Sequence, residues 1–252
     1  MLRLWPDTVQ LGLFPDCCWL TRSGMDLQIP GDVQPVLDAR NLLVSLEATL
    51  AAHADVLRSG SRVDIVVSDS VAMTAVLPWQ EHLRAPAEWQ AYAQACFEQQ
   101  GLEVTGDWTV QTAFRHHRAA GLAFAVRTDW LNQLLSVVQQ AGLRLRTLLP
   151  LSAAAYWRFR PSMRTHQTML LIREHQRTTA LRFSDRGLQA LDIEPVIASS
   201  VSCERLIKRV QANHGPISNV HLWDACKSGA ADDVSACLPD VDLTVLPRDC
   251  WS

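Results

Sequence analysis

Two short apolar runs joined by a polar turn constrain this chain more than any other feature. The first, Arg62–Ser68, carries the β-branched residues Val63, Ile65 and Val67 and reads as a buried strand. Ser68-Asp69-Ser70 is a turn cluster, and Val71–Leu77 is a second strand that Pro78 stops. A helix is predicted from Pro86. A strand that leads straight into another strand marks a point where the first part of the chain is interrupted.

The elements before and after this point form a pattern. Thr8–Phe14, Cys17–Arg22 and Met25–Ile29 read as three antiparallel strands with turns at Pro15-Asp16 and Ser23-Gly24. A helix is expected within Val33–Arg58, where Leu43, Leu46, Leu50 and Leu57 share a face and Gly60 follows the end. The interrupting segment, about residues 71–126, holds the strand Val71–Leu77, a helix Pro86–Gln99 and the strands Trp108–Phe114 and Gly121–Val126. Pro86 and Glu88 suit a helix N-terminus. Trp89, Ala93, Cys96 and Gln100 fall on one face of that helix. Thr128–Ala141 reads as a helix with Leu131, Leu134, Leu135 and Val138 inward, followed by the strand Leu143–Leu149 and the helix Ser152–Arg160.

The remainder repeats the order. Thr168–Ile172, Thr178–Phe183 and Leu188–Ile193 are three strands, Ser199–Asn213 a helix and Asn219–Trp223 a strand. Ala230–Leu238 and Asp242–Leu246 are a short helix and a last strand. The sequence predicts an α/β protein of two βββαβαβ halves, residues 1–160 and 161–252, with a small subdomain inserted in the first.

Composition narrows the function. The net charge is -3 and only Lys208 and Lys227 are lysine, which argues against a basic nucleic-acid surface. No apolar run reaches the roughly 20 residues of a membrane helix, and the N-terminus lacks the pattern of a signal peptide; a cytoplasmic protein is expected. Seven cysteines without a C-x-x-C argue for reduced thiols rather than disulfides or zinc, and Trp19 and Leu20 beside Cys17-Cys18 point to burial.

Chemical motifs are missing. There is no phosphate-binding G-x-x-x-x-G-K-[ST], no G-x-G-x-x-G, no H-E-x-x-H and no G-x-S-x-G. His116-His117, flanked by Arg115 and Arg118, read as a solvated hairpin tip, because adjacent strand residues face opposite ways. Asp64, Asp69, Glu174 and Asp224 could serve an RNase H-like nuclease only by converging on metal; surface or capping positions are expected for each.

Three segments resemble a known family. Leu77–Gly101 (LPWQEHLRAPAEWQAYAQACFEQQG), Gly121–Arg160 and Met169–Leu191 are similar to the strand-Pro-Trp, strand-helix-strand and second-half openings of PilM- and GspL-like proteins. These belong to the actin-like ATPase superfamily, which shares its sheet order with RNase H. They act as cytoplasmic scaffolds of type IV pilus and type II secretion machines. The resemblance implies duplicated actin-like halves and a nucleotide site built on three turns. The first turn here, Leu11–Asp16, has one glycine and loses an amide donor at Pro15. The second, Ile172–Thr178, has no glycine, and the third, Leu222–Cys226, has Gly229 only beyond it. A pseudo-ATPase without catalytic, cofactor or metal residues is therefore expected.

In the resembled proteins a groove beside the inserted subdomain receives a peptide or cytoplasmic tail of an inner-membrane assembly-platform protein. The resemblance also implies contact with a secretion or pilus motor ATPase, homodimerisation, and peripheral attachment to the inner membrane through a partner. Leu77, Pro78, Trp79, Leu83, Trp89 and Tyr92 are the candidate groove residues, since aromatic side chains are enriched at binding hot spots. The chain ends at Ser252 without a membrane helix, nearer to PilM in layout unless it is a fragment. An active actin-like ATPase with a divergent site is the alternative, and a nuclease the weaker one.

Overall fold

The computed structural model describes residues 8–15, 17–22, 25–30, 39–55, 57–104, 106–114, 118–159, 167–184, 187–196, 199–225, 230–238 and 241–246. Asp16, Arg115, His116, His117, Cys226, Gly229 and Cys250 lie outside the described residues.

The first sheet has the order β3-β2-β1-β4-β8. Its strands are β1 (Thr8–Leu13), β2 (Cys17–Arg22), β3 (Met25–Pro30), β4 (Arg62–Val67) and β8 (Arg144–Pro150). β1 to β3 form an antiparallel meander, while β4 lies parallel to β1 and β8 parallel to β4. Helix α1 (Ala39–Ala52) and helix α3 (Thr128–Gln140) cover one face of it. Leu43, Leu46 and Leu50 of α1 meet Trp130, Leu134 and Val138 of α3 over Val9, Leu11, Ile65 and Val67.

Gly60 is not the cap of α1, which ends eight positions earlier at Ala52. It adopts φ 81° in a later turn, where its amide donates to the Gly142 carbonyl at 2.7 Å. Leu57 accordingly packs on the core from beyond the helix.

The second sheet repeats the layout as β11-β10-β9-β12-β13. β9 (Thr168–Arg173), β10 (Arg177–Ser184) and β11 (Gly187–Pro195) form the meander, and β12 (Asn219–Asp224) and β13 (Asp242–Val245) add parallel to β9. Helices α5 (Ser199–His214) and α6 (Ala230–Cys237) bury Met169, Leu171, Val220 and Leu222. β9 has an all-buried pattern, as expected of a central strand covered on both faces.

The third sheet, β5-β7-β6, is the insert: β5 (Ala72–Leu77), β6 (Trp108–Ala113) and β7 (Gly121–Arg127), all antiparallel. Helix α2 (Pro86–Gln99) packs Ala93, Cys96 and Phe97 on one face. Pro86 opens α2, and the Glu88 carboxylate accepts the Ala85 amide at 2.9 Å and the Arg84 amide at 2.7 Å. These bonds hold that carboxyl below the usual range. Helix α4 (Leu151–Phe159) follows β8 directly and lies between the first and second sheets. No described helix is long and apolar enough to cross a membrane.

Candidate functional site

Two regions are candidates, one between the first and second sheets and one beside the insert. The first is where the three turns meet. β1 runs into the first turn, and the Phe14 ring folds back over Gly12: a Cβ there would lie 2.8 Å from Phe14 Cε2. Phe14 is 5% exposed and packs on Trp19 at 5.8 Å. The Phe14 ring therefore covers the Gly12 side of the turn.

The β9–β10 turn is equally closed. The Glu174 amide donates to the Arg177 carbonyl at 2.9 Å, and the buried Arg173 guanidinium donates to Thr178 Oγ1 at 2.8 Å. At the end of β12, Trp223 is fully buried, with its ring 6.0 Å from Phe159. Tyr156 stacks on Phe183 at 5.9 Å. One continuous apolar cluster runs from Phe14 and Trp19 through Tyr156 and Phe159 of α4 to Ile172, Phe183 and Trp223. A turn without glycine was expected at the second. The rings at the first and third extend the closure to all three.

A polar cluster sits inside this closed region, and here the structure corrects the sequence reading. Asp69 and Glu174, expected at the surface or in capping positions, are 2% and 3% exposed. Ser68-Asp69-Ser70 is a turn as expected, wound as a short 3₁₀ helix over Asp69–Val71 with the Ser70 amide donating to Ser68 Oγ at 3.2 Å. Asp69 does cap a helix, but a distant one. Its Oδ1 accepts the Ser152 amide at 2.9 Å and the Ser152 hydroxyl at 3.0 Å, at the start of α4.

Arg177 Nη1 donates to the Asp69 carbonyl. Burial pushes Glu174 up to about 8, and the neighbouring Asp69 charge adds to the shift against the pull of Arg177. Asp64 instead forms a two-pronged pair with Arg146 and accepts Thr147 Oγ1 at 2.7 Å. Asp224 ends β12 in register with Arg173. The four carboxylates of a nuclease site therefore do not converge, and among the described residues no group of three or more His, Cys, Asp or Glu could hold a metal.

The second region is an open groove of about 340 Å³. Phe124 and Val126 of β7, with Thr109 and Gln111 of β6, supply one wall, and Leu131 and Leu135 of α3 another. β8 contributes the run Leu145–Leu149. Consecutive strand residues point to opposite faces, so a run of five lines a groove only along the strand's edge. β8 is the last strand of its sheet and pairs only with β4 among the described residues. Its backbone donors and acceptors on that side face the groove.

The register between β4 and β8 shifts at Arg146, and the extra residue turns its guanidinium to Asp64. Leu131 and Leu135 were expected inward; they are half-buried, and the buried line on α3 is Trp130, Leu134 and Val138. Six apolar positions on α3 are wider than one buried stripe, a signal that the helix serves two neighbours.

The six residues proposed from the sequence lie elsewhere, and none lines this groove. Trp79, Trp89 and Tyr92 form an aromatic cluster with Phe114. Trp79 and Trp89 stand 5.3 Å apart, Trp89 and Phe114 4.4 Å, and Gln80 Nε2 donates to Tyr92 Oη at 2.9 Å. Pro78 is exposed and Leu83 half-buried. Leu77 is wholly buried against α2 and presents no surface to a partner. Cys17, Cys18, Cys96 and Cys203 are buried free thiols, and burial pushes Cys18 up to about 11.

Neither a protein-family model nor a curated protein sequence matches the chain. Solved structures do. A type IV pilus biogenesis complex of PilM and PilN superposes with a TM-score of 0.71 at 9% identity, over 96% of this chain and 88% of that one. A Bacteroides thetaiotaomicron protein described as having an actin-like ATPase fold and unknown function gives 0.67 at 11% identity, over 94% and 90%. The cytoplasmic domain of EpsL, an inner-membrane component of the Vibrio cholerae type II secretion system, gives 0.53 at 13% identity, over 98% and 87%. The chain has the actin-like ATPase fold, in a form similar to PilM and to the EpsL cytoplasmic domain.

Proposed function

We propose that this chain is a non-enzymatic, actin-like scaffold that binds an extended protein segment in the groove between β6, β7, α3 and the edge of β8. In this reading residues 1–160 and 161–252 are the two halves and 71–126 the insert. The chain works in the cytoplasm as part of a pilus- or secretion-type assembly at the inner membrane.

The observation that carries the proposal is the contrast in filling. Rings and buried ionic groups occupy all three turns of the nucleotide region, while an apolar groove against a free strand edge stays open. A segment laid along β8 gains main-chain hydrogen bonds from that edge and sets alternate side chains on Phe124, Val126, Leu131 and Leu135. The PilM–PilN complex supports a protein partner rather than a small substrate.

The test is selection from a random-peptide phage library. Selected peptides are measured against the wild type, Gln111→Trp, which fills the groove from an exposed position, and Trp89→Ala in the aromatic cluster. The groove predicts loss of binding in Gln111→Trp and retention in Trp89→Ala. The opposite pattern would move the partner site to Trp79, Trp89 and Tyr92.

A further inference from the structure

The cluster around Asp69 and Glu174 plays no part in partner capture, yet it joins the two sheets. Asp69 comes from the link between β4 and β5, on the first-sheet side. Glu174, Arg177 and Thr179 come from the β9–β10 hairpin on the second. Among the described residues, bonds to Asp69 cross between the sheets: Arg177 Nη1 to its carbonyl, and Thr179 Oγ1 to its Oδ2 at 3.5 Å. Ser152 fixes Asp69 from α4, and its hydroxyl also reaches Thr74 Oγ1 at 3.5 Å.

The charges around the pair do not balance if both carboxyls are ionised. Among the described residues, Arg177 is the cation whose charge acts on both Asp69 and Glu174. The guanidinium of Arg173 is turned to Thr178, and His175 is exposed. Asp69 has three donors within reach, the Ser152 amide and hydroxyl and Thr179, so its charged form is the better supported. Neither carboxyl oxygen of Glu174 has a hydrogen-bond partner of ordinary geometry, although the residue is 3% exposed. The Ser68 hydroxyl and the Asp69 amide reach it only outside that geometry and pull less than burial and the Asp69 charge push, so this sealed carboxyl is the one that keeps a proton.

We propose that Asp69, Glu174 and Arg177 form a proton-dependent clasp between the first and second sheets, closed while Glu174 carries a proton and pushed apart when it is lost. With the proton, the cluster is an Asp69 carboxylate, an Arg177 guanidinium and a neutral acid. Without it, a net negative charge is buried between two carboxyls and the hairpin is driven from the β4–β5 link.

The direction with pH follows from the raised Glu174. Burial and the Asp69 charge lift its folded value to about 8 from an ordinary value of 4.5. Its contribution is fully present below the ordinary value and is lost as pH rises through about 8. Burial pushes Asp69 in the same direction, against Arg177 and Ser152. The closed arrangement therefore loosens across the mildly alkaline range rather than in acid.

The experiment compares wild type with Glu174→Gln, which mimics the neutral acid. Infrared spectra are recorded from about pH 6.5 to about 9.5, with hydrogen exchange of the β9–β10 amides corrected for the intrinsic pH dependence. The expected result is a carbonyl band of a protonated carboxyl in the wild type that fades around pH 8, with exchange in the hairpin rising in step. Glu174→Gln lacks the band and exchanges at a pH-independent rate after correction. A wild type without the band, or one whose hairpin exchange ignores the band's loss, overturns the clasp. So does the same pH dependence in the variant. Should Glu174→Gln fail to fold, the wild-type titration alone decides between these outcomes.

Discussion

The cleft between the two main sheets and the groove beside the insert are both lined by apolar residues, but they are finished differently. The cleft is closed by rings from three directions, Phe14 from the first sheet, Phe159 from α4 and Trp223 from the second. Its polar groups are sealed beneath them. The groove is lined by side chains left half-buried, such as Leu131 and Leu135, and by a strand edge that pairs with no described strand on that side. Filling a cleft with tight contacts turns it into core. Leaving a strand edge beside apolar residues keeps a surface that another chain can complete. In this molecule rings and buried polar groups hold the two sheets together in the cleft, and the open groove lies at the junction with the insert.

Substitutions on each side sharpen this contrast. Trp223→Ala removes a fully buried indole from the cleft and should cost about 3–5 kcal/mol, read as a lower midpoint in denaturant. Leu135→Ala, in the groove, should cost about 1 kcal/mol. Equal losses would show that the groove is as closed as the cleft.

Arg177→Met leaves Asp69 and Glu174 buried without their cation and should cost about 2–3 kcal/mol at neutral pH. The loss should shrink on acidification, because Asp69 then takes up a proton as well; a pH-independent loss would reduce Arg177 to a packing role. Gln111→Trp should change stability by less than about 0.5 kcal/mol while abolishing peptide capture, since Gln111 is exposed on β6. Arg146→Ala should have the smallest effect. Its pair with Asp64 is half in solvent, so the loss should stay below about 1 kcal/mol and fade with added salt.

The sequence made the elements legible because each was written in local physics. A β-branched run marked β4, and the Pro86–Glu88 pair marked the start of α2 to the residue. The repeat of three strands, helix and strand could be read because each half repeats it in chain order. The groove could not, since β8 faces it edge-on and edges are assigned by pairing, not by pattern.

Leu131 and Leu135 looked like core for the same reason: apolar spacing places them on a helix face but does not say which neighbour is present. Glu174 was misplaced because exposed carboxylates are the norm; Asp69 does take a capping role, but nothing near it announces the distant helix it caps or its buried neighbour Glu174. The tryptophans of the insert did come together, but around Phe114 and Tyr92 rather than along the groove. Aromatic content alone does not distinguish a packed cluster from a docking face.

The central claim is that the nucleotide region of this actin-like chain is filled. A thermal-shift titration with ATP and magnesium tests it most directly. A nucleotide present at about 100 times its dissociation constant would add about 2.7 kcal/mol of stability. No shift up to millimolar nucleotide is the expected result. A saturable rise in the unfolding midpoint would contradict the account, because it would require Phe14 and Trp223 to yield to the ligand.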